Sequence, residues 1–177
     1  MIQKFYQFMK TLRTKFCEQE PTREQLDHIA QELLNLSLMT TFDPSVYLAA
    51  GPGEEVLHDL SICSENGPSL YLVSDGVGIS NPPHEHNTWA VIVGIKGVEL
   101  NILYQPIQHA QVSETGRYRV GSRDYLIMEP HEIHSVRVQG EHPTYHLHLY
   151  GKSLSSLPNF ASRCYPKPPP LAAGGPG

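Results

Sequence analysis

Apolar residues near the start of the chain recur at steps of three and four: Ile2, Phe5, Phe8, Met9, Leu12 and Phe16. At about 3.6 residues per turn such a spacing lines one side of a helix, so this segment reads as amphipathic. "EPTREQ" interrupts the pattern, and Thr22 followed by Gln25 has the form of a capping box. Leu26, Ile29, Ala30, Leu33 and Leu34 then give a second helix its apolar face. Both stripes are read as packing surfaces rather than cofactor contacts.

From about residue 45 the texture changes to short apolar runs broken by Gly, Pro, Asn, Asp and Ser. The candidate strands are "VYLAA", "VLHDLSI", "SLYLVSD", "TWAVIVGI", "ELNILYQPI", "RYRV", "YLIMEP", "HSVRV" and "YHLHLYG". Strands this short and closely spaced, with no helix between them, suggest an antiparallel sandwich or barrel. No internal repeat is present. The expected organisation is helices over 1–38, a barrel over 39–165 and a disordered tail over 166–177, where the chain ends in "PKPPPLAAGGPG".

Composition supports this picture. The chain has 177 residues, enough for one domain with its own core, and 14 glycines and 15 prolines suit many tight turns. Charged residues make up only 18% and the formal net charge is −5, which argues against a nucleic-acid partner. Cys17, Cys63 and Cys164 are scattered with no C-x-x-C pair, a usage that fits a reducing compartment. The basic start lacks the continuous apolar core of a signal peptide, and no stretch has the length of a membrane span. A cytoplasmic protein with no membrane partner is therefore expected, as a monomer or a homo-oligomer.

The ten histidines carry the chemistry. In "PPHEH", His84 and His86 are two apart, so in extended backbone they share a face and Glu85 points the other way. His131 and His134 flank a Pro-led turn, and "TYHLHLY" places His146, His148 and Tyr150 on one face against Tyr145, Leu147 and Leu149 on the other. Periodicity alone does not say which of these two faces is inside. An H-x-H pair with a distant third histidine gives a set of imidazoles suited to iron, copper, nickel or zinc. Trp89 is read as core or a pocket wall, and Glu99 as an outward strand residue. His58, His109 and His142 are read as surface or turn histidines.

Gly78, five residues, then His84 and His86, with Gly97 at the closing position, resembles the first motif of the cupin superfamily. Ala90 stands where that motif has its glutamate, and Pro130 to His134 resembles the second motif, one residue short. Within the superfamily, His84, His86, Trp89, Gly94, Gly97 and Glu99 are similar to a run in the thiol dioxygenases. These are the cysteine dioxygenase family, and especially its bacterial 3-mercaptopropionate-type branch. His148 and Tyr150 match the last two members of that family's Ser-x-His-x-Tyr triad, with His146 replacing the serine.

The resemblance implies a mainly β fold, the cupin double-stranded β-helix or jelly-roll barrel, preceded by two N-terminal helices. It implies His84, His86 and His134 as ligands of Fe(II), with His131 the alternative third ligand; Zn, Ni, Cu or Mn would also suit the set. Tyr150, His148 and His146 would be the catalytic group, and Arg163 and Trp89 would bind substrate. The early arginine of the animal enzymes is missing, since no Arg or Lys lies between Arg23 and His84, which leaves Arg163 for a substrate carboxylate. An apolar residue near Val91 takes the place of the thioether-forming cysteine, so Tyr150 is expected to stay uncrosslinked. The activity implied is Fe(II)-dependent oxidation of a small thiol, a 3-mercaptopropionate- or cysteine-like mercapto-carboxylate, by O2 to its sulfinate. Another three-histidine metallocupin oxygenase or isomerase, or a non-catalytic metal-binding cupin, is the alternative.

Overall fold

A computed structural model describes residues 2–16, 19–61, 67–108 and 111–166. The two helices form as their spacing predicts, α1 over Ile2–Phe16 and α2 over Arg23–Leu38. Thr22 caps α2: its hydroxyl accepts from the Gln25 N–H at 3.3 Å, and its own N–H donates to Gln25 Oε1 at 2.8 Å. Both halves of the capping box are thus closed.

Eight strands follow: β1 Glu55–Asp59, β2 Ser69–Asp75, β3 Ala90–Lys96, β4 Val98–Pro106, β5 Val112–Val120, β6 Tyr125–Met128, β7 Ile133–Gln139 and β8 Thr144–Tyr150. They form two antiparallel sheets, in the orders β1-β2-β8-β3-β6 and β5-β4-β7. From β3 onward the chain passes back and forth between the sheets, which is the jelly-roll barrel expected from the resemblance. Gly97, with φ of 77°, makes the corner from β3 into β4. A Cβ there would stand 2.8 Å from Thr144 Cγ2, so both the conformation and the space call for glycine.

One expected strand does not form. "VYLAA" is a turn followed by irregular chain, because the Val46 and Tyr47 N–H groups donate to the Asp43 carbonyl. Ala50 N–H then bonds the Ser74 hydroxyl at 3.0 Å rather than a neighbouring strand.

The hydrophobic interior is in two layers. Leu70 and Leu72 of β2, Val91 and Val93 of β3, and Leu147 and Leu149 of β8 lie on the outer face of the five-stranded sheet. They are buried there by Phe5, Phe8, Met9 and Leu12 of α1 and by Leu26, Ile29, Ala30 and Leu33 of α2. The opposite face of the same strands puts Tyr71, Val73, Ala90, Ile92 and Tyr150 inside the barrel with Met128 and Val120. The leucine face of β8 therefore packs under the helices and the histidine face lines the barrel. Arg13 of α1 fastens this layer by donating to the Ser61 and Pro68 carbonyls, at 2.8 and 3.2 Å.

The expected tail falls almost wholly on residues outside the description, as do Cys17, Cys63 and His109. Cys164 is a free thiol. No helix among the described residues is long and apolar enough to cross a membrane.

Candidate metal centre

His84 and His86 sit in extended chain just before β3, and His134 is the second residue of β7. An isolated bridge ties these segments: His84 N–H donates to the His134 carbonyl at 2.8 Å, and His134 N–H returns a bond at 3.0 Å. The three side chains are buried, and one nitrogen from each lies within 4.8 Å of the others.

Hydrogen bonds select the ring nitrogens that point inward. His84 Nδ1 is 3.0 Å from the Pro82 carbonyl and His134 Nδ1 is 2.7 Å from Asn101 Oδ1. Both partners are acceptors, so each Nδ1 carries the proton and each Nε2 keeps its lone pair. The Asn101 amide is oriented in turn by donating from Nδ2 to Glu99 Oε1 at 2.8 Å. His134 Nε2 and His86 Nε2 stand 3.3 Å apart. Converging lone pairs on buried imidazoles fit a divalent cation of the borderline class.

Electrostatics agree with neutral ligands. Burial lowers His84 to about 4, with the Arg163 charge adding to the shift. His86 and His134 are held well below the usual imidazole range, first by burial and then by the neighbouring histidines. Among the described residues no carboxylate joins the three histidines. Ala90, at the cupin glutamate position, is buried inside the barrel, and Glu85 turns outward to His131 Nδ1 at 3.2 Å and the Tyr165 hydroxyl at 3.3 Å. That contact also accounts for His131, which is exposed and is no part of the cluster.

A cavity of about 480 Å³ opens beside the histidines. His148 and Tyr150 lie on its wall, joined by a 3.0 Å hydrogen bond between Nδ1 and the phenol oxygen. Burial lowers His148 to about 3 and raises Tyr150, so both are neutral. Arg163 also lines the cavity. Its Nε donates to the Pro158 carbonyl at 3.0 Å and its Nη1 to the Glu85 carbonyl at 2.8 Å. Nη2 makes no hydrogen bond among the described residues. Leu154, Leu157 and Phe160 add apolar lining, and Glu55 and Asp75 add carboxyl groups.

Three sequence expectations are corrected. Trp89 does not line the cavity. It shares the strand parity of Val91 and Val93, which turns its ring into the layer beneath the helices. His146 does not extend the His148–Tyr150 pair. Its Nε2 donates to the Val120 carbonyl at 3.3 Å, and its Nδ1 faces Glu99 Oε2 at 3.3 Å. Glu99 itself is inside the barrel with 0% exposure, because it shares the inward face of β4 with Asn101. Asn101 was missed in the sequence. Its position two residues after Glu99 was the available signal, but it becomes informative only with β7 paired alongside, where Leu103 stands opposite His134.

No family model and no curated protein matches the sequence. Among solved structures, the chain is similar to a cupin superfamily protein from Desulfitobacterium hafniense, with 13% identity, a TM-score of 0.49 and coverage of 64% of this chain and 92% of that one. An oxalate oxidase in complex with the substrate analogue glycolate has 16% identity and a TM-score of 0.48, over 63% of this chain and 59% of that one. The DMSP lyase DddQ from Ruegeria pomeroyi has 14% identity and a TM-score of 0.45, over 73% and 65%. The chain thus spans less than two thirds of the length of either enzyme.

Proposed function

We propose that His84, His86 and His134 hold Fe(II) and that the cavity beside them oxidises a small thiol carboxylate to its sulfinate. The observation that carries this reading is a buried set of three inward-facing imidazoles with no carboxylate, sharing one cavity with Arg163 and the His148–Tyr150 pair. Bound iron would bring a thiolate and dioxygen together, both oxygen atoms ending on sulfur; neutral ligands leave it the charge to favour the thiolate. Arg163, with Nη2 still available, would pair with the substrate carboxylate. His148 and Tyr150, neutral and hydrogen-bonded, would orient the reacting groups without adding charge. The leucine and phenylalanine lining would limit water.

The test is to load apoprotein anaerobically with Fe(II), add a thiol and then oxygen, and follow oxygen uptake together with sulfinate. Uptake matched by sulfinate with 3-mercaptopropionate or cysteine is expected. Its absence with these, cysteamine and mercaptosuccinate would remove thiol oxidation and leave another metallocupin chemistry.

A further inference from the structure

A second buried cluster lies inside the barrel and is not used by the reaction above. Asp75 comes from β2, Glu99 from β4 and His146 from β8, so both sheets contribute. Their exposures are 1%, 0% and 0%, and one ligand atom from each lies within 4.8 Å of the others.

The hydrogen bonds around this cluster leave lone pairs facing one another. His146 donates from Nε2 to the Val120 carbonyl, so Nδ1 has no proton. Glu99 Oε1 accepts from Asn101, which leaves Oε2. These two leftover atoms, His146 Nδ1 and Glu99 Oε2, stand 3.3 Å apart, and neither forms a hydrogen bond. Asp75 Oδ1 also receives no donor, and the Asp75 carboxyl lies against the Glu99 and Glu55 carboxyls, a contact that needs a shared proton or a cation. Two acceptors face to face in a dry interior repel unless a shared proton or a cation lies between them. Thr144 stands directly across from Asp75 in the β2–β8 register, fully buried, and its hydroxyl also has no partner.

We propose that Asp75, Glu99 and His146 form a second divalent-cation site, separate from the three-histidine centre and suited to zinc or manganese. Two carboxylate oxygens and one imidazole nitrogen, with no thiolate, are the donor set of such ions. Ligands about 2.1 Å from a tetrahedral ion stand about 3.4 Å from each other, close to the 3.3 Å between His146 Nδ1 and Glu99 Oε2. The cation offsets the charge of two buried carboxylates that no Arg or Lys approaches in the described contacts. Burial and the neighbouring Glu99 and Glu55 charges disfavour a bare carboxylate at Asp75, and burial disfavours one at Glu99. Entry is by way of the cavity, because Asp75 lines it together with the three histidines. The two centres are also linked, since Glu99 orients Asn101 and Asn101 orients His134.

The experiment counts ions. Chelator-treated wild-type protein is titrated with Zn(II), then in parallel with Mn(II), and read by native mass spectrometry. Two ions per chain are expected with at least one of the metals. A His84→Ala/His86→Ala variant should keep one, and an Asp75→Asn/Glu99→Gln variant should also keep one, with circular dichroism as the check of fold. A wild-type count of one with both metals overturns the proposal. So does a folded His84→Ala/His86→Ala variant that holds none, or a second ion that persists in Asp75→Asn/Glu99→Gln. If either variant does not fold, the wild-type count decides alone.

Discussion

The two faces of β8 differ in kind although both are buried. Leu147 and Leu149 face outward into the layer made with α1 and α2, while His146, His148 and Tyr150 face the barrel interior. Alternation along a strand is commonly read as inside against outside. Here it separates one interior that holds the fold together from another that holds polar groups. The helices make the difference, because they turn what would be the wet side of the sheet into a second core.

Substitutions should divide along that line. The largest effect expected is from His84→Ala or His86→Ala, each of which removes a ligand. Metal content should fall by one ion per chain in elemental analysis, with turnover lost and the helical circular dichroism unchanged. Leu147→Ala should do the opposite. Deleting a fully buried leucine costs about 2–5 kcal/mol, read as a lower urea midpoint, while the surviving folded protein keeps its metal. If Leu147→Ala removed metal and left stability unchanged, the division between the faces would fail.

Asn101→Ala leaves His134 Nδ1 and Glu99 Oε1 without partners, so metal affinity should weaken about 10–100-fold, measurable by competition with a chelating dye. Tyr150→Phe keeps the ring and removes the oxygen bonded to His148. Turnover should fall with metal affinity unchanged, and a variant as active as wild type would take Tyr150 out of the chemistry. The smallest effect concerns pH. In the metal-free fold Asp75 and Glu99 bind protons that the unfolded chain releases in the ordinary carboxylate range. Their contribution to stability is therefore complete below that range and is lost as pH rises through about 7 for Glu99 and about 8 for Asp75. A thermal midpoint of the metal-free protein that falls over this interval, and falls less in Asp75→Asn, is the expected result.

Local signals in the sequence were read well where one element decides the outcome. The helix stripes, the Thr22 cap and the parity that sends Glu85 away from His84 and His86 are all short-range, and each is found in the structure. The third histidine of the cluster was open between His131 and His134, because a turn of a few residues does not fix direction. Pairing of His84 with His134 fixes it. Glu99, Asn101 and His146 were misread or missed for a common reason. Their meaning depends on which faces of β4, β7 and β8 meet across the barrel, and no single strand contains that information. Trp89 was open between core and pocket wall, and strand parity decides for the core, placing the ring on the helix side of the sheet rather than against substrate.

The position of β8 also bears on how the chain reaches this state. It lies between β2 and β3 in the five-stranded sheet, yet it follows every other described strand in the sequence. Until it arrives, β2 and β3 have no common neighbour, and the apolar faces of α1 and α2 have only part of their docking surface. The barrel therefore closes only after β1 to β7 have been made, through contacts between residues far apart in sequence. Such topologies fold slowly and leave sticky surfaces waiting. Refolding should accordingly show a slow phase that depends on β8, with yield that drops as protein concentration rises.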